Sequence, residues 1–517
     1  MDNYITGTKL HLVMLSVTLV AFLVLLDMVI IATAIPRLTS QFHSLEDVGW
    51  YGSAYQLASA SLQPLAGKLY SEFRSKWIFL AFFFIFELGS LVCGVATSSK
   101  MLVIGRALAG IGSAGLVNGG LTILSACLPL HKRPAYIGVL LGVSQLGVIC
   151  GPVLGGAFTQ YVNWRWCFYI NLPVGAIVAV LLLSIHIPDN IRPREISVLQ
   201  TVLTKLDLIG FGLFAPASIQ FFMALAYGGN QYAWNSATVI GLFGGATGTF
   251  VVYLVWEYFQ GDEAMIPFSM VKQRIVWSSC LVQLFFWGAL QLTTYYLPIY
   301  FQAIKEVSPT VSGAYMLPIL ISQLIGAASS GAAVGKFGYY LPWSVVSAIL
   351  MSIGNGLLCT ISPSTSTKEW VGYEILMGAG RGLGIQMPVI AVQNTLPPDT
   401  VSISMSLLSF SQTFGGAVFL TVGESIFTNS LSTTVPTYAP GVDPEVVIAA
   451  GATGLRQLIS KPNLLAGVLM AYSKAVDRVF YLALGCACAT FLSSLGMGWK
   501  DIRKKEEATL DAEEEKV

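Results

Sequence analysis

Residues 142–156 read GVSQLGVICGPVLGG. Gly147, Gly151 and Gly155 recur at every fourth position, so on a helix they share one face and let a neighbouring backbone approach closely. Pro152 interrupts that face, lacks a backbone donor and permits a bend, and Gly156 follows one place after the series. The residues around them are mostly apolar, and the whole run 136–158 is long enough to cross a hydrocarbon core of about 30 Å. A small-residue face inside such a run is how helices pack against each other in lipid.

The rest of the chain agrees with a bilayer solvent. Of 517 residues, 55% are hydrophobic, 11% are charged and 51 are glycine, and the mean hydropathy is +0.70. A soluble domain carries about 25% charged residues, and one of this size still needs a polar skin. The net charge of +1 gives no field for nucleic acid. None of the eight cysteines forms a CxxC pair, so neither a disulfide framework nor a metal site is expected. The string GAAVGKF at 331–337 is one residue short of a nucleotide-binding loop and lacks its final Ser or Thr, which argues against transport driven by bound ATP. Only His11, His43, His131 and His186 are present, at run ends or in loops. That excludes an intramembrane histidine centre, and no enzyme activity is expected.

Runs of about 20 apolar residues predict helices near 11–36, 48–68, 77–97, 101–126, 136–158, 168–187, 207–227, 237–259, 276–303, 311–333, 341–361, 370–392, 402–428 and 475–497. The second and twelfth are the most polar, as helices facing a wet cavity are. With both termini inside, 17 Lys and Arg fall in cytoplasmic loops and tails against 8 outside, which is the expected asymmetry. The reading divides the chain into a bundle over 1–190, a basic connector with two inserted helices over 191–260, and a bundle over 261–497. A charged tail spans 498–517. The longest outer loop is expected at 429–474, where EVVIAAGATGLRQLI (445–459) has the make-up of an interfacial amphipathic helix.

The segment at 142–156 resembles the antiporter motif of major facilitator superfamily exporters, with Gly147, Gly151, Pro152, Gly155 and Gly156 in its positions. LLDMVIIATAIPRL (25–38) resembles the first-helix motif of drug:proton antiporters, with Asp27 at the acidic position. IGRALAGIGSAG (104–115) resembles the fourth-helix motif through Arg106, Gly110 and Gly112. NWRWCFYINLPVG (163–175) is similar to a signature of the fourteen-helix branch, and GAGRGLGIQMPVIAVQ (378–393) to its fungal toxin and secondary-metabolite exporters. The resemblance implies an all-α membrane fold, two six-helix bundles with two helices inserted between them. It also implies a monomer in the plasma membrane that moves a small organic substrate against protons, with membrane lipid as solvent and no cofactor beyond the proton gradient. An importer or vacuolar carrier of amino acids or iron chelates is the competing reading. GKLYSEFRSKW (67–77) resembles the loop motif between helices two and three, with Ser71 where an aspartate is common. The inner gate network then runs through Gly67, Glu72, Arg74 and Lys76, although Glu72 points about 100° away from the position of Ser71.

An ionisable group at mid-membrane costs about 2.5–3.5 kcal/mol on insertion scales, so each one needs a reason. Asp27 and Arg106 are expected to face a shared cavity, Asp27 taking the proton and Arg106 setting its affinity; a static ion pair that orders the bundle is the plainer reading. Glu374 and Arg381, seven residues apart, share a helix face and could form the opposite wall with Gln386 and Gln393, or pair structurally. Gln56 on the second helix is a further cavity residue. Trp50, Tyr51, Tyr55, Trp287, Tyr295 and Tyr296 could line a cavity for a flat substrate, packing being the better bet for any one of them. Glu87 and Glu424 fit either role, and Glu257 is expected to snorkel from a helix end.

Overall fold

In lipid the backbone must satisfy its own donors and acceptors, and a single chain of long apolar runs does so as helices. The computed structural model describes residues 5–42, 48–129, 132–188, 198–229, 232–448 and 462–502. Fourteen long helices form among them. The first six are α1 (Thr8–Phe42), α2 (Val48–Glu72), α3 (Ser75–Gly94), α4 (Ser99–Cys127), α5 (Arg133–Tyr161) and α6 (Trp166–Ser184). The inserted pair is α7 (Leu208–Tyr227) and α8 (Ala237–Gln260). Then come α9 (Arg274–Ile304), α10 (Leu317–Phe337), α11 (Leu341–Leu358), α12 (Thr367–Thr395), α13 (Pro398–Tyr438) and α14 (Pro462–Ser494).

Thirteen of these are long and apolar enough to cross a bilayer; α2 is the exception. Its 25 residues span about 38 Å at 1.5 Å each, so length is no obstacle. Ser, Gln and Lys side chains lower its hydropathy, and it packs against α4, α7 and α13.

The packing repeats with a shift of eight helices. The contacts α1–α5, α2–α4 and α3–α4 recur as α9–α13, α10–α12 and α11–α12. Between the two sets the main contacts are α2 with α13 and α5 with α10, the same two helix types exchanged, with α4 also touching α13. The inserted α7 and α8 pack on each other, and α7 also meets α2 and α13. There Phe214, Phe221 and Phe222 of α7 sit in ring contact with Phe410 and Phe414 of α13.

One end of the bundle gathers the short polar connections. Lys68 Nζ donates to the carbonyls of Glu263 (3.3 Å) and Ala264 (2.8 Å), and Lys76 Nζ to those of Leu183 (3.0 Å) and Ile185 (2.7 Å). Ile502 N donates to Gly338 O at 2.9 Å. At the other end Trp164 Nε1 donates to Gln41 Oε1 at 2.8 Å, and Lys305 Nζ to the carbonyls of Pro363 and Thr365.

The outer loop expected at 429–474 is shorter. α13 continues to Tyr438 and α14 begins at Pro462. The added turns are polar, but Ser432, Thr433, Thr434 and Thr437 return their hydroxyls to carbonyls one turn back. Leu431 and Val435 are buried in one cluster with Val468 and Ala471 of the lengthened α14. Glu257 does not snorkel: it is 1% exposed, and its Oε2 accepts from Ile266 N at 3.0 Å. Residues 189–197 ahead of the inserted helices, 449–459 of the 445–459 segment and the charged tail from 503 lie outside the described residues, as do His43 and His131.

Candidate functional site

Asp27 on α1 and Arg106 on α4 form a buried ion pair, Arg106 Nη1 to Asp27 Oδ2 at 2.6 Å, with the side chains 1% and 0% exposed. The guanidinium is held on further sides. Nη1 also reaches Asp27 O at 3.2 Å, Nε donates to Tyr51 O at 2.9 Å, and the Tyr55 ring lies 4.5 Å from the charge. The other carboxylate oxygen of Asp27 accepts from Asn171 Nδ2 at 3.3 Å, and Asn171 also donates to Ser90 Oγ at 3.0 Å. Five helices of the first half thus meet in one network around the pair, three of them at the carboxylate itself. Asn171 belongs to the motif 163–175 but was not among the expected site residues; its polarity inside an apolar span was the available signal.

The glycines of α5 position this pair. A Cβ on Gly147 would stand 2.5 Å from Phe22 O and 2.9 Å from Leu26 N, and one on Gly151 3.2 Å from Val29 Cβ. These two residues therefore let the backbone of α5 lie against α1 on both sides of Asp27. Gly155 is buried on the same face. Gly156 has open space where a Cβ would go, so it takes no part in the close approach. α5 is helical without a break from Arg133 to Tyr161, through Pro152.

The ion pair does not face a cavity between the halves. That cavity is lined by Leu25 of α1, Gln145 of α5, Gln283 and Trp287 of α9, and Ser409 and Gln412 of α13, among others. Leu25 and Asp27 are two residues apart, about 200° around a helix, so with Leu25 on the cavity Asp27 turns into the first bundle. The cavity holds about 50 Å³ of water-accessible space, against pockets of about 300–1,000 Å³ for drug-sized ligands. The halves are closed around it. Of the six aromatics considered, Trp287 alone is among its lining residues. Tyr51 bonds Ser99 Oγ at 2.9 Å, Trp50 packs edge-on to Tyr227, and Tyr296 is buried against Phe427.

Nor do the expected residues of the second half line that cavity. Glu374 is fully buried within the second bundle, and Arg381, also buried, donates to Thr294 Oγ1 (3.3 Å) and Leu290 O (3.2 Å) of α9. Gln386 sits where α12 breaks between Gly384 and Met387, its Nε2 2.9 Å from both Ala327 O and Ser330 Oγ. Gln393 lines a small crevice with Arg133 and Ile502. Gln56 is half-buried and is not a cavity residue. Patterning identified polar residues on apolar helices but not which way each one turns.

The seams that close the cavity are close-packed. A Cβ on Gly67 would lie 2.5 Å from Ser406 Oγ of α13, Gln63 Nε2 donates to Thr413 Oγ1 at 3.2 Å, and Asn118 joins Ser406 and Ser409. The expected charge network takes another form. Among the described residues no ion pair joins Glu72 to Arg74 or Lys76; Arg74 is exposed, and Ser71 Oγ turns back to Lys68 O. Carbonyl clamps by Lys68 and Lys76 stand there instead: among the described residues neither ammonium forms an ion pair, and Glu263 and Glu72 act on Lys68 only from further off.

A family model described as Major Facilitator Superfamily matches residues 17–420. MFS-type transporter pigP of Monascus ruber is 58% identical over 97% of this chain and 88% of its own length. Efflux pump mlcE of Penicillium citrinum is 54% identical over 98% and 93%, and efflux pump aflT of Aspergillus parasiticus 41% identical over 97% and 98%. In fold, the human organic anion transporter MFSD10 is similar with a TM-score of 0.59 at 13% identity, covering 93% of this chain and 100% of that one.

Proposed function

The chain belongs to the Major Facilitator Superfamily, and on that basis we propose that it exports a small organic compound of the toxin or secondary-metabolite class in exchange for protons. The observation that carries the coupling is the Asp27–Arg106 pair, enclosed in the first bundle and fixed by the glycine seam of α5. An acid held against an arginine takes a proton only when that pairing loosens. Loosening it requires movement of α1 against α4 inside the first bundle, and coupling requires that this movement accompany the parting of the halves. Two relatives that cover nearly the whole chain bear the name efflux pump, which supports export over import.

Transport then runs by opening the cavity at one end at a time. Substrate enters when α2 separates from α13 and α5 from α10, meets Trp287 and the glutamines of the cavity wall, and leaves on the other side. The end that carries Lys68, Lys76 and Lys336 is assigned to the cytoplasm by the excess of basic residues there, and the cell surface is the membrane proposed. We assign no catalytic step and no cofactor beyond the proton gradient. A proton falling through about 100 mV and one pH unit releases about 3.7 kcal/mol, enough for a several-hundred-fold gradient of a neutral substrate.

Direction is read from cells. Expressing the chain in a host stripped of its own pumps, and offering a panel of fluorescent organic cations, acids and neutral polyketides, is expected to lower the steady-state content of at least one. A panel compound that accumulates more in expressing cells identifies an importer, and no change across the panel contradicts the exporter reading.

A further inference from the structure

The second half carries a buried acid with no counterpart in the mechanism above. Glu374 on α12 is 0% exposed, no side chain donates to its carboxylate, and the groups that act on it are the backbone N–H of Ile319 on α10 and, further off, the Arg381 guanidinium. Arg381 is seven residues further, about 10.5 Å along the axis, and no ion pair joins the two among the described residues. Its Nη atoms are engaged instead by Leu290 O and Thr294 Oγ1. The internal repeat makes this a comparison. Arg106 on α4 and Arg381 on α12 occupy corresponding helices, and each reaches a backbone carbonyl and a side-chain oxygen of the corresponding partner, α1 or α9. In the first half the side-chain oxygen is a carboxylate, and in the second a threonine hydroxyl. The acid of the second half stands apart, on the arginine's own helix.

The face of α12 that holds Glu374 is turned to α10. One turn on, a Cβ at Gly378 would meet Ile319 O, and at Gly382 it would meet Gln323 O. In that seam the Nε2 of Gln323, 2% exposed, also has no acceptor. The sequence of α10 offers no charge from Leu317 to Gly335, that of α11 none at all, and that of α9 none from Ile275 to Ile304. The titratable groups around the region are the phenols of Tyr300 and Tyr315, the Cys359 thiol and Arg381, with the Asp477–Lys474 pair of α14 acting on Tyr300 and Cys359 from their far side. Lys368 and Glu369 lie exposed at the start of α12. A carboxylate so enclosed has no solvent and only the offset Arg381 for a counterion, whereas a protonated one needs neither.

We propose that Glu374 is a second proton-carrying acid of the transport cycle, protonated in this closed arrangement while Asp27 is ion-paired, and unloaded when α10 and α12 separate. The proposal rests on proton-coupled export and adds one proton to each cycle.

Infrared difference spectroscopy on the purified full chain reads this with protons as the only ligand. The wild type is expected to show a carboxylic-acid C=O band that Glu374→Gln lacks and that Glu374→Asp retains at a shifted frequency. Glu374→Asp keeps the acid and so controls for folding. In vesicles, Glu374→Gln is expected to lower the substrate ratio held by one pH unit about tenfold, one proton fewer per cycle. Identical carboxylic-acid bands in wild type and Glu374→Gln overturn the proposal, and so does an unchanged ratio in a variant that has lost the band. Wild-type flux indifferent to the pH gradient defeats instead the reading on which the proposal rests.

Discussion

Arg106→Leu is expected to be the most damaging single substitution in the protein. It leaves the Asp27 carboxylate fully buried with only Asn171 for company, and removing one partner of a buried ion pair costs about 3–5 kcal/mol. Asp27→Asn is milder, because the amide oxygen can still accept from Arg106, although the NH2 in place of the other oxygen cannot accept from Asn171. The double variant Asp27→Asn/Arg106→Leu removes both charges and is expected to melt above Arg106→Leu alone. Thermal unfolding in detergent, followed as monodisperse protein on a sizing column, gives the order. A double variant no more stable than Arg106→Leu contradicts the pairing, because two independent losses would simply add.

Gly147→Val is expected to have the next largest effect. The new Cβ would stand 2.5 Å from a backbone oxygen and 2.9 Å from a backbone nitrogen of α1, and neither can rotate away as a side chain could. Overpacking of this kind costs about 1–3 kcal/mol, and here it also pushes α1 off α5 at the turn before Asp27. Loss of melting temperature and of transport should therefore come together. Gly156→Ala, with open space at its Cβ position, is the matched control and should change neither. Wild-type stability and flux in Gly147→Val would show that the glycine face does not set the position of α1.

The fold was legible because hydropathy in a bilayer leaves few alternatives: thirteen of the expected spans satisfy length and composition alone. The fourteenth, α2, is a helix shielded by α4, α7 and α13 rather than by lipid tolerance, and composition cannot register shielding. The extension of α13 was not legible either, because NSLSTTVPTY looks like a loop until its hydroxyls return to their own helix. Asp27 and Arg106 were identifiable as a pair, since a lone charge in either span would be costly. Their direction was not. Facing the first bundle or facing the cavity depends on how α1 is rotated, and that is fixed by Gly147 and Gly151 across the seam. The gate was misread for a similar reason. Lys68 and Lys76 are satisfied by carbonyls at the ends of distant helices, and no spacing between charged residues encodes that.

Purified chain in sealed vesicles, loaded with a compound that expressing cells exclude, tests the central claim most directly. Wild type is predicted to drive uphill flux when a pH gradient is imposed and to stop when an ionophore collapses it. Asp27→Asn, folded to the same melting standard, is predicted to bind the compound but to lose the response to the gradient. Gradient-driven flux that persists undiminished in Asp27→Asn would contradict the account, leaving the Asp27–Arg106 pair as a brace of the first bundle and the coupling elsewhere.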